Sequence, residues 1–155
     1  STFTIFLPLS EKMVENEKKE NDVFESGEET ILLVDDEDMI LEVGKAMLEE
    51  LGYRVITAIG GQQALDIVVS GEVQIDLVVL DLVMPGLDGE KTLEQIRREK
   101  PGMPVVLSSG YSADGQAAKI LRNGLCQDFI QKPFSLSELS GKVRAILDNQ
   151  MESEA

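Results

Sequence analysis

Between Ile31 and Gln131 the chain repeats one pattern, a short apolar run followed by a longer amphipathic stretch. The runs are ILLV (31–34), YRVITA (53–58), IDLVVL (75–80), PVVLSS (104–109) and QDFIQ (127–131). Several are continuously apolar rather than alternating, as expected of strands covered on both faces. The first amphipathic stretch carries Ile40, Leu41, Val43, Met47, Leu48 and Leu51 at three- and four-residue spacings and stops at Gly52. The next helices are expected over Gln62–Val69, Glu90–Glu99 (stopped by Pro101-Gly102) and Ala113–Arg122 (stopped by Asn123-Gly124). A last helix opens at Ser135, with Glu138 three residues later in a capping-box arrangement, and carries Val143, Ile146 and Leu147 on its apolar face. Five strands alternating with five helices predict an α/β domain, a doubly wound parallel sheet with helices on both faces.

Composition narrows the chemistry available to such a domain. Among 155 residues there is no histidine, and the formal net charge is -15. Without imidazole, no His–Ser or His–Cys nucleophile pair and no histidine metal site can be built. The acidity repels phosphate backbones, which argues against direct nucleic-acid binding. Cys126 is the single cysteine, so no internal disulfide forms; its position between helix and strand suits a small buried thiol in a reducing compartment. No apolar run is long enough to span a membrane, and Thr2–Leu9 lacks the basic flank and cleavage site of a signal peptide. The expected location is the cytoplasm, with any membrane anchor elsewhere in a parent chain.

In open parallel sheets, reactive groups gather beyond the carboxyl ends of the strands. Those positions here are Asp35-Asp36 after the first strand, Asp81 after the third, Ser109 at the end of the fourth and Lys132 after the fifth. Each has an ordinary reading alone: a helix N-cap for Asp35 or Asp36, a turn residue for Ser109, a surface lysine for Lys132. Together they form a coherent set. Three adjacent carboxylates repel one another unless a cation lies between them, and Mg²⁺ prefers such oxygen ligands. An aspartate can attack phosphorus to give an acyl phosphate, and a lysine and a hydroxyl can neutralise the transferred oxygens.

The segments ILLVDDED (31–38), VVLDLVMPGLDG (78–89), PVVLSSGYS (104–112) and FIQKPFSLSEL (129–139) resemble the response-regulator receiver family, over about residues 30–148. The resemblance implies a flavodoxin-like fold with strand order 2-1-3-4-5 and two-component phosphorelay function. It implies Asp81 as the acceptor of a phosphoryl group from a phosphohistidine, with Asp36, Asp81 and the carbonyl of Val83 on Mg²⁺ and Asp35 acting through water. It further implies Lys132 on the phosphoryl oxygen, a cis bond to Pro133, and a switch in which Ser109 moves toward the phosphoryl group while Phe129 turns inward. Gly110 leaves room beside Ser109. Ser109 stands where the family more often has Thr and retains the donor. Val83 and Tyr111 are poorly suited to orient a hydrolytic water, which predicts slow autodephosphorylation.

The first residues, STFTIFLPLS (1–10), resemble the closing strand of the ATP-binding domain of sensor histidine kinases. Residues 11–29 are dominated by Glu and Lys and read as an acidic linker, and 149–155 as a C-terminal tail. The receiver is thus expected to follow a kinase core in a hybrid histidine kinase, with that core as phosphodonor in cis and a histidine phosphotransfer protein as possible partner. The chain itself carries no GxxxxGK[ST] nucleotide loop and no histidine to phosphorylate. Rival readings are a stand-alone regulator acting through protein contacts, an inactive receiver-shaped interaction module, and an aspartate-nucleophile phosphatase. The phosphatase would want an acid two residues after Asp81, where Val83 stands.

Overall fold

The computed structural model describes residues 24–110 and 115–153. Its elements run β1 (Thr30–Val34), α1 (Asp38–Glu50), β2 (Arg54–Ala58), α2 (Gly61–Ser70), β3 (Leu77–Asp81), α3 (Gly89–Glu99), β4 (Val105–Ser109), α4 (Gln116–Arg122), β5 (Asp128–Gln131) and α5 (Leu136–Ser153). The five strands form one sheet in the order β2-β1-β3-β4-β5, and every neighbouring pair is parallel. The sheet is the doubly wound one that the alternating pattern predicts.

Because successive side chains along a strand face opposite ways, the sheet divides its apolar residues between two cores. Leu32, Val34, Val78, Leu80, Val105, Leu107 and Phe129 share one with α2, α3 and α4. Ile31, Leu33, Leu77, Val79, Val106 and Ile130 share the other with α1 and α5. Strands β1, β3 and β4 are buried along their whole length, which is why their sequences do not alternate.

Local signals fix the helix ends. Asp88 caps α3 by accepting a hydrogen bond from the Lys91 amide. The capping box of α5 is made: the amide and hydroxyl of Ser135 donate to Glu138 Oε2 at 2.9 and 3.0 Å, and the Glu138 amide donates to Ser135 Oγ at 3.2 Å. Helix α5 continues through Ser153, across most of the stretch read as a tail, because neither Pro nor Gly interrupts it after Leu147. Helix α4 begins at Gln116, later than the expected Ala113, which lies outside the described residues. Cys126 is buried in the α4–β5 connection, as expected.

Candidate functional site

The carboxyl ends of β1 and β3, the two central strands, bring the acidic residues together. Asp81 is the last residue of β3 and pairs in register with Ser108, so its backbone is held by the sheet. Gly89, at the start of α3, allows the helix to close over that strand end, since a Cβ there would overlap the Asp81 carbonyl and the Leu82 backbone. Asp35 follows β1 directly and is tied to β2 by its amide, which donates to the Ala58 carbonyl at 3.1 Å. One oxygen of its carboxylate accepts the Glu37 amide at 2.9 Å, closing the turn into α1. Neither Asp35 nor Asp36 caps that helix; the N-cap is Glu37.

One carboxylate oxygen from each of Asp35, Asp36 and Asp81 lies within 4.8 Å of the others. Asp35 and Asp81 are buried, while Asp36 is exposed to solvent. Lys132, arriving from the end of β5, places its ammonium 2.5 Å from Asp35 Oδ2 and 3.1 Å from Asp81 Oδ1. Its amide donates to the Ser109 carbonyl at 2.9 Å, which carries the β4–β5 pairing one step past the strand, and its bond to Pro133 is cis. Ser109 is buried at the end of β4.

The electrostatics follow from this geometry. Burial pushes the Asp81 carboxyl above its usual value and outweighs the opposing pull of Lys132; nearby Asp35 raises it further. Burial alone would lower the Lys132 ammonium, but its bonds to Asp35 and Asp81 more than compensate and raise it. One lysine faces three carboxylates, which leaves a surplus of negative charge in a partly desolvated pocket. Such a donor set, all oxygen and open on the Asp36 side, fits a hard divalent cation.

Of the set read from the strand ends, Asp35, Asp36, Asp81 and Lys132 come together at one point, and Ser109 is buried at the end of the neighbouring strand. Val83 and Phe129 were expected from the family resemblance. Val83 lies in the β3–α3 loop with its side chain exposed, and its backbone amide bonds the Asp81 carboxyl. Phe129 is already buried in the core shared by α2, α3 and α4. Tyr111 lies outside the described residues.

A match to the response regulator receiver domain family covers residues 31–144. The chain belongs to that family. Receiver domains of this family accept phosphoryl groups in two-component signalling and interact with histidine kinases or phosphotransfer partners. The sensor kinase CckA of Brucella abortus is 36% identical over 159 residues, which is 97% of this chain and 17% of that protein. The alkaline phosphatase synthesis regulator PhoP of Bacillus subtilis is 38% identical over 118 residues, 76% of this chain and 48% of the regulator. The receiver thus spans less than half the length of either relative.

Solved structures agree. A CheY-like receiver domain protein of Methanospirillum hungatei superposes with a TM-score of 0.75 at 28% identity, over 82% of this chain and 99% of that one. The response regulator TrrA of Thermotoga maritima, crystallised with Mg²⁺ and BeF, superposes with a TM-score of 0.67 at 34% identity, over 76% and 98%.

A reading confined to polar residues at strand ends misses the apolar rim of this site. Met39 in the first turn of α1, Ile59 directly after β2 and Val83 two residues after β3 are large, exposed side chains. Nothing in the sequence separates them from apolar neighbours such as Leu82 and Met84, which share a loop with Val83 and are buried. No helix among the described residues is long and apolar enough to cross a membrane.

Proposed function

We propose that Asp81 is the phosphoacceptor of this receiver, with Lys132 and Ser109 binding the transferred group and Asp35, Asp36, Asp81 and the Val83 carbonyl holding Mg²⁺. The observation that carries this reading is the buried Asp81 carboxylate held 3.1 Å from Lys132, with two further carboxylates beside it. Mg²⁺ bound there would relieve the repulsion among the carboxylates and neutralise charge on the phosphoryl oxygens. An Asp81 oxygen attacks phosphorus, the bond from phosphorus to the donor nitrogen breaks, and the imidazole leaves with its electron pair and takes up a proton. The Lys132 ammonium exchanges its carboxylate partner for a phosphoryl oxygen, and the Ser109 hydroxyl donates to another. Ser109 and Phe129 are the proposed switch pair, with Phe129 packed in the core shared by α2, α3 and α4.

Met39, Ile59 and Val83 supply an apolar rim against which a partner presenting a phosphohistidine can seat. The donor proposed is a histidine kinase core, in cis within a hybrid kinase. The CckA relative, aligned over 97% of this chain and so beyond the receiver itself, supports that context. The kinase-like segment 1–10 and residues 11–23 of the linker lie outside the described residues. A histidine phosphotransfer protein is the proposed onward partner, and a cytoplasmic location suits both. The net charge of -15 speaks against direct contact with nucleic acid. Val83 offers no acid or amide to orient water on the acyl phosphate, so slow hydrolysis belongs to the same proposal.

Intact-mass measurement after incubation with acetyl phosphate and Mg²⁺ tests the assignment. The expected result is one phosphoryl group on the wild-type chain, none on Asp81→Asn, and none on the wild type in EDTA. Labelling of Asp81→Asn equal to the wild type, or no labelling of a folded wild type, would overturn it.

A further inference from the structure

We propose that residues 25–29 form a latch, clipped onto α5 by Arg144, that fixes where the upstream chain leaves the receiver. By composition these residues belong to the charged stretch before the domain, yet they are bonded into it along their length. The Glu25 carbonyl accepts the Ser140 hydroxyl of α5 at 3.1 Å. The Gly27 amide donates to the Leu51 carbonyl at the end of α1, 3.1 Å away, and the Glu29 carbonyl accepts the Arg54 amide of β2 at 3.0 Å. The Glu29 carboxylate takes both terminal nitrogens of Arg144, at 2.8 and 3.2 Å, while Arg144 Nε donates to Asp148 at 2.8 Å. Arg144 is only 9% exposed although it lies on a surface helix. A two-pronged guanidinium–carboxylate pair in that setting orients as well as attracts.

Two glycines show how close the fit is. A Cβ on Gly27 would overlap the Tyr53 ring and the Arg144 guanidinium. Gly52, with φ near +92°, would place a Cβ 2.7 Å from the Gly27 carbonyl oxygen. Both positions therefore need glycine for the backbones to meet.

Seated, the latch anchors the chain from Glu25 onward against α5 and the end of α1. Released, the first anchored residue becomes Thr30 of β1, an inner strand of the sheet. The seated end lies one helical turn along α1 from Met47, which lines a small apolar groove with Ile40, Val43, Pro133 and Phe134. The latch thus brings the upstream chain to the same face as that groove. This holds whichever protein lies upstream, so it does not depend on the hybrid-kinase reading.

Cleavage by a glutamyl endopeptidase tests the latch on the whole chain, because Glu28 and Glu29 are cut only when it opens. Arg144→Met keeps most of the packing volume, and Glu29→Gln keeps Arg144 itself while leaving Glu28 as a cleavage site. Each is expected to raise cleavage at the latch by about tenfold or more, following the larger open population. In every variant, cleavage after Glu94 in the middle of α3, which needs the whole fold to open, is expected to stay far slower than cleavage at the latch, and phosphorylation by acetyl phosphate is expected to stay unchanged. Equal latch cleavage in wild type and both variants overturns the proposal, as does latch cleavage no faster than cleavage at Glu94, which would mean that the segment opens only with the fold as a whole.

Discussion

Two carboxylates in this molecule, one buried and one partly so, face a cation each and respond in opposite directions. Asp81, at the end of β3, is pushed up by burial despite Lys132 at 3.1 Å. Glu29, before β1, is pulled down by its hydrogen bonds to Arg144, which exceed the cost of its partial burial. The difference lies in the company each keeps. Lys132 is shared between Asp81 and Asp35, with Asp36 close by, so the site carries more negative charge than its lysine can balance. Arg144 offers a planar fork, gives both terminal nitrogens to Glu29, and has Nε left for Asp148. The first cluster is short of positive charge, which is what the proposed Mg²⁺ would supply. The second is matched and serves as a fastening.

Removing the cation from each cluster should therefore break different properties, and the largest effect is expected at Lys132. Lys132→Met is expected to slow phosphorylation by acetyl phosphate by about 10²-fold or more, because the developing charge on the phosphoryl oxygens loses its ammonium. The measurement is the initial rate of mass gain at saturating Mg²⁺, on protein whose circular dichroism matches the wild type. A rate within a few-fold of wild type would remove Lys132 from the phosphoryl site. Arg144→Met is expected to leave that rate alone and instead lower the melting temperature. The loss should be about 2 kcal/mol, or roughly 4–10 °C, less than a fully buried pair would give because Glu29 is about one quarter exposed. An unchanged melting temperature would place the Glu29–Arg144 pair with ordinary surface pairs.

The same contrast explains what the sequence discloses. The sheet was legible because buried parallel strands must be continuously apolar, and the carboxylates were legible because they sit where those strands run out. Asp35, Asp36, Asp81, Ser109 and Lys132 each lie at such an end, so topology alone gathers them. The Glu29–Arg144 pair joins residues 115 apart with no motif at either end. Glu29 stands in a run whose density of charge reads as solvated chain, and only the position of α5 turns it into a buried partner. Arg97 on α3 is a similar case. Its guanidinium bonds the carbonyls of Leu125 and Met103 and the side chain of Gln127, binding α3 to the starts of β4 and β5. Nothing around it in sequence marks it off from Arg98, which makes none of these bonds. Where function depends on strand ends, local sequence carries it; where it depends on which helix lies beside which segment, packing decides.

A smaller effect, of opposite sign at the two clusters, sharpens the comparison. In EDTA, Asp81→Asn is expected to raise the melting temperature at neutral pH by roughly 2–5 °C, because it removes one charge from a crowded, desolvated site. Glu29→Gln is expected to lower it. The pH dependence follows from the direction of each shift. An acid whose folded pKa is raised costs stability once ionised; that cost is complete above the folded value and disappears as the pH falls below the unfolded value, about 3.9 for Asp. An acid whose folded pKa is lowered adds stability above its unfolded value, about 4.3 for Glu, and loses it as the pH falls through the folded value. Melting curves of the three proteins from neutral pH into acid should thus converge, with Asp81→Asn approaching the wild type from above and Glu29→Gln from below. Arg144 stays charged throughout, so the lower branch reports Glu29. If both variants instead lie below the wild type at neutral pH, the carboxylate cluster is not short of positive charge, and Lys132 alone balances it.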